Sequence, residues 1–294
     1  MTHTERALRP RGRYSLALTA ASTDATRRWE DETLTAALRV GDRVELARAR
    51  QRTDGAVVVR AASEEGVEAM RVALALDADH GEFLRRFRHD PLLGQTTQHL
   101  AGLRQARLST VAHALLRAFT GQLIESRRAR AIEAAVVRAA TMRVEGTRLH
   151  APPTAACLGV LAPARLRELG LHARRGAALV RLCRAFDPER LHALPTAEAA
   201  GRLERERGLG PWSAGVVCLE GLGRPERGLV GDLGLIKLLS ALRGRRAEAW
   251  ETEELLAPYG EWAGLASRYL LKGWARGLVP VPVRPPPGRF RRAA

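Results

Sequence analysis

The chain has 294 residues, 46% of them hydrophobic and 4% aromatic, and a formal net charge of +16 at neutral pH. That length accommodates two or three small domains, and the composition is typical of a mainly helical core. No apolar run reaches the roughly 18 residues that a membrane helix needs, and the charged first 20 residues lack the apolar block of a signal peptide. We therefore expect a cytoplasmic protein without a membrane partner.

The basic residues indicate the kind of partner. Only Lys237 and Lys272 are lysines, so 46 of the 48 basic residues are arginines. GC-rich codon usage explains why the basic residues are arginine rather than lysine, but not why the 48 basic residues outnumber the 32 acidic residues. Such a surplus favours a polyanion, because each neutralised phosphate releases counterions. The charge therefore favours nucleic acid, without distinguishing RNA from DNA.

Cysteine spacing argues against a metal site. The three cysteines, Cys157, Cys183 and Cys218, form no CxxC pair, and no His/Cys cluster has the spacing of metal ligands. They are typical of small buried side chains in a reducing compartment. We expect neither zinc nor an iron–sulfur cluster, which takes four cysteines.

Residues 14–62 predict short strands separated by turns. The predicted strands are RYSLALTA, TLTAALRV, RVELARARQ and AVVVRAA. EEGVEAMRVALAL then predicts a helix, and from about residue 80 the apolar periodicity is almost entirely helical. A small α/β domain, residues 1–79, therefore precedes a larger helical region. The basic, Pro-rich tail, residues 277–294, is predicted to be an extended arm or, more simply, disordered.

A tight turn between two helices is predicted at residues 196–223. Gly208 and Gly210 permit the positive φ of a sharp turn, and Pro211 suits the first position of the second helix. The free N–H groups at that helix start would attract a phosphate. The segment therefore predicts a helix–hairpin–helix that binds a DNA phosphate. The two glycines alone would equally suit an ordinary helical corner.

The acid that follows is Asp232, immediately before LGLIKLLSAL. Its position predicts an N-cap, and the helix dipole favours a negative charge there. A fixed carboxylate can also stabilise positive charge on a sugar, or orient and deprotonate a water molecule. Neither role excludes the other.

The stretch GLGPWSAGVVCLEGLGRPERGLVGDLGLIK, residues 208–237, resembles the helix–hairpin–helix DNA glycosylases, in particular their 3-methyladenine DNA glycosylase II branch. DPLLG at 90–94, ALLRAFTGQLIES at 114–126 and EWAGLASRYLLKGW at 261–274 match further segments of that family. The resemblance covers roughly residues 80–276, with weaker support over 14–75.

This resemblance implies an α+β fold in which a small antiparallel-sheet domain precedes a two-lobed, mostly α-helical glycosylase core. One helical lobe would comprise residues 80–110 and 225–276 and carry the catalytic aspartate. The other, residues 111–224, would carry the hairpin. The implied partner is double-stranded DNA containing damaged bases, bound by a monomer.

The family's motif implies roles for individual residues. Asp232 corresponds to the catalytic aspartate, and the hairpin residues Gly208, Leu209, Gly210 and Ser213 to the phosphate site. The family often holds a monovalent cation with hairpin carbonyls, so we expect no cofactor beyond such a cation. Arg207 stands where the family usually has proline, which changes the fine geometry of the hairpin.

Base recognition is implied for Trp212 and Trp274, which match pocket tryptophans and would stack on cationic alkylated purines. The simpler alternative is that both are core residues. Val216 stands where a third aromatic residue is expected, so the pocket is wider or its substrate range differs.

A glycosylase must flip its target base out of the duplex, and an apolar side chain should then fill the gap that the base leaves in the stack. Leu123 matches the family's wedge and Gln122 lies beside it; the simpler alternative is that Leu123 is a buried helix residue. Strand-cleaving relatives carry a lysine nucleophile at the position of Trp212.

The sequence therefore predicts a monofunctional glycosylase that releases 3-methyladenine or 7-methylguanine by Asp232-assisted hydrolysis. Two alternatives stay open. One is a non-catalytic module that binds damaged DNA, and the other is a glycosylase for deaminated bases such as hypoxanthine or uracil.

Overall fold

The structure, a computed structural model, describes residues 3–20 and 23–281. Residues 282–294, most of the predicted tail, lie outside the described residues. The described residues form five strands: β1 Thr4–Leu8, β2 Arg27–Glu30, β3 Thr33–Val40, β4 Arg43–Gln51 and β5 Val57–Ala61. They form one antiparallel sheet with the order β1-β5-β4-β3-β2.

The helices follow the sheet in the chain, apart from one that precedes β2. Their bounds are α1 Leu16–Ala20, α2 Glu64–Ala73, α3 Gly81–Arg86, α4 Gly94–His99, α5 Val111–Gly121, α6 Ser126–Ala140, α7 Ala155–Gly159, α8 Pro163–Glu168, α9 Ala173–Ala185, α10 Thr196–Glu204, α11 Pro211–Val216, α12 Leu233–Arg243, α13 Glu251–Leu256 and α14 Ala263–Trp274. Short 3₁₀ segments lie at Pro188–Ala193 and Ala257–Trp262, and a π-helical turn at Val217–Leu222 continues α11.

Two apolar clusters divide the described chain. The first joins α1, α2 and one face of the sheet, with buried residues between Leu16 and Leu76. The second comprises Ala25 and buried residues from Phe83 to Val279. The α+β architecture expected from the resemblance is confirmed. The domain and lobe boundaries themselves stay predictions.

One strand prediction was wrong. Within RYSLALTA, residues 16–20 form helix α1, which buries Leu16, Thr19 and Ala20. The Thr19 amide donates to the Ser15 carbonyl at 3.1 Å, a helical bond, and the Leu18 amide donates to the Ser15 hydroxyl at 3.3 Å. The buried side chains are three and four residues apart, as in a helix, and the short alternation of apolar and polar residues was therefore a misleading indication of a strand. Strands β1 and β2 were not predicted as separate elements.

Helix α5 lies at the centre of the helical part, and every residue from Val111 to Thr120 is buried. Thr110 caps it, accepting a hydrogen bond from the His113 amide. α6, α9 and α11 pack around α5, together with the π-helical turn. This arrangement brings the end of α5 beside the turn between α10 and α11.

Candidate active site

Asp232 caps helix α12 with one carboxylate oxygen and contacts a tryptophan with the other. Oδ1 accepts hydrogen bonds from the amides of Gly234 at 2.8 Å and Leu235 at 3.2 Å. Oδ2 accepts one from Trp212 Nε1 at 2.9 Å. The predicted N-cap is confirmed. The carboxylate is thus fixed in direction, half-buried, with the indole of the second hairpin helix beside it.

The loop that leads to Asp232 is held by the two helices that follow α12. The Gly231 amide donates to Thr252 Oγ1 at 2.7 Å, and the Leu229 amide donates to Ser267 Oγ at 3.1 Å. Because Thr252 and Ser267 are fully buried, these bonds anchor the loop to the core. They fix where the carboxylate lies before any substrate binds.

The hairpin joins α10 to α11 through a sharp turn. Gly208 has a φ of +98°, a conformation that favours glycine, whereas Gly210 is extended and caps α11. Pro211 occupies the first helical position, as predicted. The side chain of Leu209 is buried. Only one of the two glycines therefore supplies the positive φ of the turn.

Two residues at the end of α5 face the hairpin differently. Gln122 Nε2 donates to the Gly208 carbonyl at 2.7 Å and to Ser213 Oγ at 3.1 Å, so this side chain ties the two loops together. Leu123 is 78% exposed and has a φ of +55°, so the alternative of a buried helix residue does not apply. An exposed leucine in a rarely populated backbone conformation is itself an indication of function.

Close packing sets the position of the Trp212 ring. A Cβ atom added to Gly121 would lie 2.6 Å from that ring, so the indole fits only because residue 121 has no side chain. The last turn of α5, the hairpin and Asp232 are thereby brought together. Residues 121 and 212, far apart in the chain, position the catalytic candidate jointly.

A cavity of about 800 Å³ opens between these elements. Most of the predicted site residues line it: Gln122, Leu123, Gly208, Gly210, Trp212, Ser213, Val216 and Asp232. Leu209 and Trp274 are not among the lining residues; Trp274 packs against the helical core. Ser213 is buried, and its hydroxyl accepts the bond from Gln122. The roles assigned to all ten residues stay predictions.

The cavity also has a charged part, which was not predicted from the sequence. Its lining includes Glu220 and Arg117, with Arg268 and Lys272 from α14 on another wall. Glu220 follows Trp212 and Val216 at steps of four residues, so helical spacing could have identified it. No comparable local pattern marks Arg268. Burial, followed by neighbouring arginines, lowers the pKa of Lys272 to about 8.

Arg117 is the centre of a buried ionic cluster that forms part of the cavity lining. Its guanidinium contacts Glu133 at 2.7 Å, Asp24 at 3.0 Å and Glu220 at 2.5 Å. Burial alone would raise the pKa of Glu220, but Arg117 and Arg130 outweigh it and lower that pKa to about 2. The pKa values of Asp24 and Glu133 are lowered in the same way, against burial, by neighbouring cations.

Residues 3–20 and 23–281 contain no group of three or more His, Cys, Asp or Glu side chains placed to hold a metal ion, and the three cysteines are free. Over the same residues, none of the helices combines the length and the apolar character needed to cross a membrane. Binding of a cation by hairpin carbonyls stays a prediction.

The fold is similar to that of solved DNA glycosylases. In structure, the chain is similar to the 3-methyladenine DNA glycosylase from Archaeoglobus fulgidus, with a TM-score of 0.80 and 20% identity, covering 93% of this chain and 98% of that chain. It is also similar to the Clostridium acetobutylicum 8-oxoguanine glycosylase/lyase in complex with DNA, with a TM-score of 0.74 and 17% identity, covering 90% and 92%.

In sequence, the chain is 26% identical over 216 residues to the DNA-3-methyladenine glycosylase of Bacillus subtilis, covering 70% of this chain and 71% of the relative. No family model matches the chain. The resemblance to the helix–hairpin–helix DNA glycosylase superfamily is thereby confirmed. The names of these structural neighbours refer to 3-methyladenine in one case and to 8-oxoguanine in the other, so the comparisons leave the substrate of this chain open.

Proposed function

We propose that this protein is a monofunctional DNA glycosylase that excises alkylated purines, of the 3-methyladenine and 7-methylguanine type, from double-stranded DNA. It would act as a cytoplasmic monomer in base excision repair, without a cofactor. The observation that carries the proposal is the fixed Asp232 carboxylate, bonded to Trp212 inside a cavity of about 800 Å³. A flipped base fits a cavity of this size.

In this proposal the carboxylate stabilises the positive charge that develops on deoxyribose as the N-glycosidic bond breaks. The base leaves with the bonding electrons, and water attacks C1′ and loses a proton. Trp212 lines the cavity beside Asp232, where its electron-rich ring can stack on a cationic alkylated purine. Because such a base is already a good leaving group, the reaction needs no strong general acid.

Leu123 and the hairpin suit the capture of an extruded nucleotide. The exposed Leu123 side chain would fill the gap left in the base stack, with Gln122 beside it. The hairpin amides, together with the surplus of basic residues, would hold the phosphate backbone. Gly208, Leu209, Gly210 and Ser213 are the residues proposed for that contact.

Hydrolysis without strand cleavage is supported by Trp212, which occupies the position of the lysine nucleophile in strand-cleaving relatives. Lys237 is exposed and does not line the cavity, but Lys272 does. A borohydride trap with an abasic duplex therefore tests this part of the proposal directly. Covalent product that disappears in Lys272→Met would show that the protein is also a lyase.

The decisive experiment is single-turnover base release from a methylated duplex by the wild type, Asp232→Asn and Trp212→Phe. Removing the stabilising charge should slow release by about 10²–10³-fold. Asn still accepts the cap hydrogen bonds, so the fold should survive. Trp212→Phe keeps the charge but removes the bond to Oδ2, and should slow release by about tenfold or less. DNA binding without release in the wild type would instead indicate a non-catalytic binding protein.

A second substrate class, deaminated bases, is favoured by one observation. Val216 lines the cavity where an aromatic side chain is expected from the resemblance, which leaves room beyond Trp212. Duplexes carrying hypoxanthine or uracil, assayed beside methylated DNA, would decide between the two classes. Release of the deaminated bases alone would replace the first proposal.

A further inference from the structure

Helix α11 and the π-helical turn that continues it line the cavity along one side chain in every four. Trp212, Val216 and Glu220 follow at four-residue steps, and all three are lining residues. A valine side chain is much smaller than an aromatic ring. At position 216 the cavity is therefore not closed off, and it extends to the Glu220 carboxylate.

Glu220 offers a hydrogen-bond acceptor in that part of the cavity. Its Oε2 accepts from Arg117 Nη1 at 2.5 Å, which orients the carboxylate, whereas Oε1 has no hydrogen bond to the described residues. Burial raises its pKa, but Arg117 and Arg130 outweigh burial and lower the pKa to about 2. Glu220 is therefore ionised at neutral pH, with one oxygen open to a ligand.

Arg268, from α14, offers the complementary donors. Its guanidinium makes no hydrogen bond with the part of the chain that the structure describes, and its Nε is buried without a partner. Among the residues with such an unpartnered buried atom, Arg268 is the one that lines the cavity. Its charge interacts with Glu220. A buried donor without an acceptor calls for an explanation, and a bound ligand is one.

An acceptor beside a donor matches one edge of a nucleobase. A lactam, an N–H next to a C=O, donates to a carboxylate and accepts from a guanidinium. Hypoxanthine and 7-methylguanine carry this edge at N1–H and C6=O, and uracil carries it at N3–H and C4=O. Adenine derivatives such as 3-methyladenine have an exocyclic amine in place of the carbonyl and would leave Arg268 unpaired.

We propose that Glu220 and Arg268 form a subsite that recognises the lactam edge of the flipped base, and so select among the substrates of this enzyme. The proposal rests on the proposed glycosylase function. A site built to hydrogen-bond a substrate group discriminates strongly against analogues that lack it. Arg268 is the specificity-determining residue, because Glu220 also has a structural bond to Arg117.

The test uses one methylated DNA that contains both 7-methylguanine and 3-methyladenine. The ratio of the two release rates can then be measured for each variant in a single sample. In Arg268→Leu, the single-turnover rate for 7-methylguanine should fall at least tenfold, and that for 3-methyladenine less than twofold. Arg276→Leu is the matched control, since Arg276 is exposed just beyond α14 and does not line the cavity. It should leave the ratio unchanged.

A pair of defined duplexes tests recognition of the lactam group separately from the rest of the base. One carries hypoxanthine and the other unsubstituted purine, which has the same rings without the carbonyl. The wild type should prefer hypoxanthine, and Arg268→Leu should lose that preference. Arg268→Gln keeps a neutral donor and serves where the leucine variant does not fold; its preference should be intermediate. If Arg268→Leu slowed the release of both bases of a pair equally, or left the ratio of their release rates unchanged, the proposed subsite would be refuted.

The two proposals fail in different ways. Release of 3-methyladenine by the wild type with ratios insensitive to Arg268 would refute the subsite and leave the glycosylase proposal standing. Absence of release of any base by the wild type would refute the glycosylase proposal, and the subsite with it.

Discussion

Replacing Arg117 by methionine should destabilise the protein more than any change at an exposed arginine. The Arg117 side chain is 6% exposed, and its guanidinium contacts three carboxylates that are themselves between 2% and 12% exposed. Removing one partner of a buried ion pair costs about 3–5 kcal/mol, because the other charge stays buried without compensation. We expect a loss in the free energy of unfolding in that range.

The assay is urea unfolding at pH 7, followed by tryptophan fluorescence, with Arg130→Met as the control. Arg130 contacts Glu133 at 3.1 Å, but its side chain is 40% exposed, so the control should lose only about 0–1 kcal/mol. A loss below about 1 kcal/mol for Arg117→Met, or one no larger than that of the control, would refute this account of the cluster.

The pH dependence supplies an independent check with a definite sign. Lowered carboxylate pKa values stabilise the fold above the unfolded-state pKa, and that contribution is lost as the pH falls towards the folded-state pKa. For Glu220 the window runs from about 4.5 down to about 2. Without Arg117 these pKa values are depressed less, although Arg27 and Arg130 still lower them. The stability difference between wild type and Arg117→Met should therefore be largest near neutral pH and shrink on acidification.

Two further changes test the cavity and its mouth. Leu123→Ala should change the free energy of unfolding by no more than about 0.5 kcal/mol, because the side chain is 78% exposed, yet slow excision from duplex DNA more than from single strands; an equal effect on both would contradict the wedge. Lys272→Met should stabilise the protein at pH 7 by about 1–2 kcal/mol, since burial lowers the pKa of Lys272 from 10.5 to about 8 and part of that penalty is screened by solvent. Because a lowered lysine pKa penalises the fold below pH 8 and ceases to do so by about pH 10.5, the gain should shrink over that interval, and a gain independent of pH would refute the assignment.

Local features of the fold were predictable where neighbouring residues determine them. TLTAALRV and RVELARARQ coincide with β3 and β4, because alternation and clear turns delimit both strands. The caps at Thr110 and Asp232 and the start of α11 at Pro211 likewise depend on adjacent residues alone. RYSLALTA failed because its alternation is too short to outweigh packing against the sheet.

Apart from Glu220, which helical spacing places on the same face as Trp212, the charged residues of the cavity were not predictable, because they are distant in sequence. Arg117, Asp24, Glu133 and Glu220 come from four separate segments, and their attraction exists only once α5 is buried between its neighbours. Arg268 lies on a helix whose pattern indicates only an apolar face. Charge counts show that arginine is abundant, but only the tertiary structure shows that the Arg268 Nε, beside the cavity, has no hydrogen-bond partner among the described residues.

The bonds to Asp232 help to separate the two roles that the sequence left open. Oδ1 accepts from two amides of α12, and Oδ2 accepts from the Trp212 indole. Oδ2 accepts a single hydrogen bond, so it can also accept one from a water molecule and orient it, and the fixed charge can stabilise a cationic sugar without any rearrangement. In the proposed reaction Asp232 therefore acts chiefly through its charge and orients the water. For the same reason the indole bond positions the carboxylate without replacing its function, so Trp212→Phe should be far less damaging than Asp232→Asn.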